Sequence, residues 1–183
     1  MDIRQQVMGE IGDVVVKVAR NQLDSFKASI TSAKRIFILG LGREGLMLKA
    51  FAMRLMHLGF PVYVVGDVTT PAIDQGDVLI ISSGPGYTST IITLTQIARK
   101  KQAKIVLMTA AKNSQLASLS DLMIEIPART MADDGSEKHK SILPMGSLFE
   151  ISQLVILDCV INEIIDEKAI PYQEIINRHT NLE

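Results

Sequence analysis

Residues 77–90, DVLIISSGPGYTST, decide the fold. An apolar, β-branched run over 77–83 leads into a turn crowded with glycines and hydroxyls, and helical spacing takes over from Thr88 to Lys101. A strand that is apolar on nearly every residue is covered on both faces, as in a parallel sheet with helices on two sides. The turn itself is the kind of strand-to-helix junction where phosphates bind, yet Pro85 removes one backbone N–H from its middle.

The same grammar recurs along the chain. Short β-branched runs at 35–40, 61–66, 77–83, 104–109 and 122–126 predict five strands. Helical spacing is read over residues 7–30 (one or two helices), 44–58, 88–101, 113–119 and 147–168. Three of the four gaps between strands are long enough for a crossover helix; the gap from Gly66 to Asp77 is the exception. The expectation is an α/β fold: a five-stranded parallel sheet, doubly wound, in one domain over 1–183, with helical extensions at 1–32 and 147–183. Residues 129–141, RTMADDGSEKHKS, are polar and without period, and predict a loop. The helix over 147–168 is apolar on more than one face, so it must be buried on several sides, by its own domain or by another subunit.

Composition narrows the function classes. With 47% hydrophobic and 21% charged residues in 183, the chain is of globular type. Nineteen Lys and Arg against twenty Asp and Glu leave a formal charge of -1, without the basic excess of a nucleic-acid binder. The single cysteine, Cys159, lies inside an apolar run and predicts a packed, unreactive thiol in a reducing, cytoplasmic compartment. Residues 1–20 are interrupted by charges, which leaves no room for the apolar core of a signal peptide, and no uncharged run is long enough to span a bilayer.

Two turns concentrate the chemistry. The first strand runs into Gly40-Leu41-Gly42-Arg43-Glu44-Gly45, the third into Ser83-Gly84-Pro85-Gly86-Tyr87-Thr88. Gly40-x-Gly42-x-x-Gly45 invites a dinucleotide reading, with Asp67 as the ribose-binding acid. The second, hydroxyl-bearing turn argues against it, because a plain dinucleotide fold has no use for one.

Taken together, Gly40-x-Gly42-Arg43, Phe51-Ala52-Met53-Arg54-Leu55-Met56-His57-Leu58-Gly59-Phe60, Val65-Gly66-x-x-Thr69-Thr70-Pro71, Ser83-Gly84-x-Gly86-x-Thr88, Pro144-Met145-Gly146-Ser147-x-Phe149-Glu150 and Arg178-His179-x-Asn181-Leu182 resemble the sugar-isomerase (SIS) domain family. More narrowly they resemble its 6-phospho-3-hexuloisomerase subfamily, over nearly the whole chain from about Lys34. The resemblance implies interconversion of 3-hexulose 6-phosphate and fructose 6-phosphate through a cis-enediol, in the ribulose monophosphate route of formaldehyde fixation. It also implies a homotetramer that needs neither metal nor organic cofactor.

On that resemblance Glu150 is the proton-abstracting base, with His57 and His179 as further catalytic candidates. A role for His179 requires the tail to fold back or to reach a neighbouring subunit, giving an active site near a subunit interface. Arg43, Ser83, Gly84, Gly86, Tyr87 and Thr88 are the expected substrate and phosphate contacts, and Thr69 and Thr70 a structured turn. The competing structural readings are that Glu150 caps its own helix, that His57 is a core histidine and that Arg43 pairs with a carboxylate.

Two positions depart from the subfamily pattern. Glu44 stands where it has Ser, and Pro85 stands where the phosphate turn has its second Ser. Pro85 deletes a hydroxyl and an N–H together, and Glu44 would bring a like charge to a phosphate. The isomerase reading meets these losses with a re-aimed loop that uses Ser82, Ser83, Thr88, Ser89 and the N–H groups of Gly86 and Tyr87; the alternative is a sugar-phosphate-binding protein without turnover, or an isomerase of another sugar phosphate.

Overall fold

The computed structural model describes residues 2–133 and 141–182. In chain order it contains α1 (Ile3–Val15), α2 (Arg20–Ser32), β1 (Ile36–Gly40), α3 (Gly42–His57), β2 (Val62–Val64), β3 (Val78–Ser82), α4 (Ser89–Lys100), β4 (Lys104–Thr109), α5 (Gln115–Leu119), β5 (Leu122–Glu125), a 3₁₀ turn (Met131–Asp133), α6 (Ser147–Lys168) and α7 (Tyr172–Asn177). Residues 134–140 of the polar loop read over 129–141 lie outside the described residues.

The strands form one sheet in the order β2-β1-β3-β4-β5, with every pairing parallel. Alternation along each strand divides the core in two. Ile36, Ile38, Val78, Ile80, Val106, Met108 and Ile124 face a layer containing Ile11, Phe26, Phe51, Leu55, Leu157 and Val160 of α1, α2, α3 and α6. Their neighbours Phe37, Leu39, Leu79, Ile81, Ile105 and Leu107 face Ile91 and Ala98 of α4 and Leu116 of α5. Each such side chain contributes about 1.5–3 kcal/mol when fully removed from water, so both faces must be covered. The fold is therefore the doubly wound α/β arrangement the apolar strands demand.

Several boundaries differ from the sequence expectation, each for a local reason. The N-terminal periodicity resolves into two helices, because the chain turns between Val16 and Ala19. β2 is short: after Val64 the backbone gives one more bond, Val65 N–H to the Ile38 carbonyl, and turns at Gly66 with φ +103°. α7 lies within the helical extension expected over 147–183 as a separate short helix, none of whose residues is buried.

α6 covers its expected span, and Leu148, Phe149, Ile156, Leu157, Val160, Ile161 and Ile164 are buried. Cys159 corrects an expectation. It is exposed, because it lies two residues beyond Leu157, about 200° round the helix from that residue and outside the buried stripe. Among the described residues no helix is long and apolar enough to cross a membrane.

Candidate active site

Strand order reverses between β1 and β3, and at that switch point Gly40 and Ser82 are register partners. The two glycine-bearing turns therefore stand side by side at the carboxyl ends of the strands, where open α/β sheets bind ligands. Two glycines allow α3 to start so close to β1: a Cβ on Gly45 would lie 2.4 Å from the Gly40 carbonyl oxygen, and one on Gly40 2.9 Å from the Gly45 Cα. Their primary work is helix-to-strand packing.

The 83–88 turn is built by its own polar groups. Ser83, 1% exposed, accepts the Gly86 N–H on Oγ at 3.2 Å, and its Oγ lies 3.4 Å from Thr88 Oγ1. The Gly84 carbonyl accepts from Thr109 Oγ1 at 3.0 Å and from Ala110 N at 3.1 Å. Gly86, at φ +73°, has no room for a side chain: a Cβ would meet Ser114 Oγ at 2.1 Å.

Thr88 caps α4 with extended backbone and makes no side-chain cap bond, and Tyr87 is exposed. The first-turn N–H groups of α4 have no intrahelical acceptor, so free amides lie beside Thr88 and Ser89, two hydroxyl-bearing residues, at a positive helix end. That is the geometry of an anion site. Thr70, by contrast, donates to the Val64 carbonyl and closes a turn with Asp67, as expected of a structural residue.

Glu44, in the first turn of α3, points into the inner half of the same turn. Its carboxyl group accepts the Gly84 N–H at 3.0 and 3.2 Å, and Ser82 Oγ lies 2.8 Å from its Oε2. Ser82 Oγ also lies 2.6 Å from Oε1 of Gln153, which is fully buried on α6. Burial pushes the Glu44 carboxyl above the ordinary carboxylate range and the nearby Glu150 adds to this, against the bonds from Ser82 and Gly84.

Glu150 lies in the first turn of α6, with 13% of its side chain exposed. Arg43 Nη1 approaches its Oε2 to 3.0 Å and donates a hydrogen bond to Ser147 Oγ at 2.6 Å. The sequence leaves open whether the helix dipole or burial governs this carboxyl. Burial prevails: it raises the Glu150 carboxyl above its ordinary value, and Arg43 opposes this only in part. Glu150 is thus a carboxyl of increased basicity, held by an ion pair beside the anion turn rather than spent as a cap. Arg43 pairs with a carboxylate, as one reading of the sequence had it, and its half-exposed guanidinium still faces the crevice.

The two histidines are elsewhere. His57 is the last residue of α3 and is buried; its ring stacks on His179 with centroids 5.2 Å apart. Arg178 Nη1 donates to the His57 carbonyl at 3.2 Å and holds the tail back against α3. The pair lines a cleft of about 850 Å³ with Arg54, Asp158, Asn162 and Tyr172. Fourteen residues of helix separate Arg43 from His57, an axial distance of about 21 Å. One chain therefore gathers Arg43, Glu150, Ser83, Gly84, Gly86, Tyr87 and Thr88 at one end of α3, and His57 with His179 at the other.

Sequence reading passed over Ser147 and Gln153 as site residues. Gln153 carried a usable signal: it is a polar residue one turn after Glu150 on a helix that must be buried on several sides, so it needs a partner inside the protein.

The comparisons agree with this architecture. The SIS domain model matches residues 29–153. The chain is 40% identical over 177 residues to the 3-hexulose-6-phosphate isomerase of Mycobacterium gastri, covering 97% of this chain and 88% of that one. It is 34% identical to the 3-hexulose-6-phosphate isomerase of Bacillus subtilis (strain 168), covering 97% and 96%. A crystal structure of a hypothetical protein from Methanococcus jannaschii, for which a molecular function of 3-hexulose-6-phosphate isomerase is inferred, superposes over the full length of both chains with a TM-score of 0.87 and 35% identity. With the family model matching well over half its length and relatives of this identity spanning nearly all of it, the chain belongs to the SIS domain family.

Proposed function

We propose that this protein is a 3-hexulose-6-phosphate isomerase, interconverting that ketose with fructose 6-phosphate. The observation that carries the reading is the Glu150–Arg43 pair beside a hydroxyl-rich anion turn, in a chain whose relatives of that name span it at 34–40% identity. The phosphate sits at the start of α4, held by the free amides there and by Thr88 and Ser89. Glu150 removes the proton from C2 of the 3-ketose. The charge that develops on the C3 oxygen is met by Arg43 and neutralised by a proton; the cis-enediol then gives up the proton of its C2 hydroxyl and takes one at C3, which leaves the carbonyl at C2. The burial that raises the Glu150 carboxyl makes it a stronger base while Arg43 keeps it ionised.

The reaction belongs to the ribulose monophosphate route, in the cytoplasm. The working unit in this reading is a homotetramer, as the family resemblance implies, and His57 and His179, about 21 Å along α3 from Arg43, act in a neighbour's site if they act at all. A second reading, sugar-phosphate binding without turnover, is favoured by Pro85 and by Glu44, which together withdraw backbone donors from the turn.

Turnover decides between the two. Conversion of 3-hexulose 6-phosphate to fructose 6-phosphate, coupled to oxidation of the glucose 6-phosphate formed from it, is expected at enzyme concentrations far below substrate. Absence of conversion, with retained binding of fructose 6-phosphate, would establish the binding protein instead.

A further inference from the structure

Glu44 is a mostly enclosed carboxyl that sits on an N–H of the anion turn. Among the described residues no cation pairs with it. Its surroundings are defined: Ser82 and Gly84 from β3 and the turn after it, Glu150 and Gln153 from α6, and Arg43 from its own helix, the last engaged with Glu150. The segment after β5 reaches the turn with the methyl of Thr130, which lies near where a Gly84 side chain would be.

Ser82 Oγ bridges Glu44 Oε2 and the Gln153 amide, which ties the carboxyl to α6 and holds it against the turn. The α3 dipole favours a carboxylate at this position, whereas burial and Glu150 oppose it. A phosphate dianion arriving at the start of α4 adds two more negative charges a few ångströms away.

We propose that Glu44 is a positioning residue that stands as a neutral carboxyl in the loaded site, so that binding of a phosphate ester is coupled to protonation of Glu44. This rests on the reading of residues 83–88 as a phosphate turn and adds the residue that makes the affinity depend on pH. The neutral carboxyl keeps its bond from the Gly84 N–H and so holds the turn without repelling the ligand. Its upward-shifted protonation is in keeping with this role.

The test is calorimetric titration of wild type and Glu44→Gln with fructose 6-phosphate and, separately, with glycerol 3-phosphate, from about pH 6.5 to about pH 9, where a phosphate monoester is chiefly dianionic. The two proteins should differ least at the low end. Towards the high end wild type should lose roughly tenfold or more relative to Glu44→Gln, whose affinity stays flat. A constant ratio between the two proteins across the range overturns the proposal, including a Gln variant uniformly tighter because Glu44 is charged throughout. Glu44→Ser should share the flat profile, and serves if the Gln variant folds poorly. If glycerol 3-phosphate shows the pattern and fructose 6-phosphate does not bind, the sugar assignment fails while the role of Glu44 stands. If neither ester binds either protein, the turn is not a phosphate site and the proposal falls with it.

Discussion

Arg43 holds Glu150 across the mouth of the switch-point crevice, Nη1 to Oε2, at 3.0 Å. The guanidinium lowers a carboxyl that burial raises, so it sets the pH at which the base becomes available. Arg43→Ala should leave Glu150 protonated to higher pH. The acid limb of the pH profile of kcat/KM then moves upward, and the plateau falls by roughly 10²-fold through loss of oxyanion stabilisation. A plateau loss without movement of the acid limb would assign Arg43 to substrate binding alone.

Glu44 also has a signature in stability. Its carboxyl is raised in the folded chain above its reference value of 4.5, so its favourable contribution is complete below the unfolded carboxylate range and is lost as pH rises through the folded value. Glu44→Gln should therefore gain on wild type in Tm as pH increases, and the gain should vanish near pH 4. Thermal melts across pH measure it directly. Equal melting curves for the two proteins at every pH would contradict the burial argument.

Restoring the donors lost at Pro85 should tighten the site. Pro85→Ser returns one N–H and one hydroxyl to the turn, and a bond to a charged group is worth about 1.5–3 kcal/mol. KM for the sugar phosphate should fall by roughly tenfold, with kcat little changed. An unchanged KM would mean that the phosphate lies wholly on the α4 side of residue 85.

The distance between His57 and Arg43 predicts complementation between subunits. Glu150→Gln and His57→Ala should each be inactive alone. Coexpressed as mixed oligomers, they should recover up to about a quarter of wild-type activity, because some sites then receive an intact residue from each chain. No recovery in verified mixed oligomers would exclude His57 from a shared site.

How far the sequence carried this reading can be judged residue by residue. The unbroken apolar strands foretold the parallel sheet because burial on both faces leaves no polar alternation. The glycine turns after β1 and β3 foretold the crevice because such junctions cluster at strand ends. Gly40 and Gly45 shape the turn for packing, which their spacing alone does not distinguish from phosphate binding. The inward turn of Glu44 was hidden, since a charged residue in a first helical turn is ordinarily solvated. The separation of His57 from Glu150 was hidden too, because motif order says nothing of which end of α3 each occupies. Cys159 misled because an apolar run on a helix still has an outer face.

The most direct measurement is the fate of the C2 proton under Glu150→Gln. In deuterium oxide, wild-type protein should convert 3-hexulose 6-phosphate to fructose 6-phosphate with solvent deuterium incorporated at the reacting carbon. The Gln variant should still bind fructose 6-phosphate but lose both turnover and exchange by at least about 10³-fold. Exchange and turnover persisting in Glu150→Gln near the wild-type rate would contradict the assignment of Glu150 as the base, and with it the mechanism built on the Arg43–Glu150 pair.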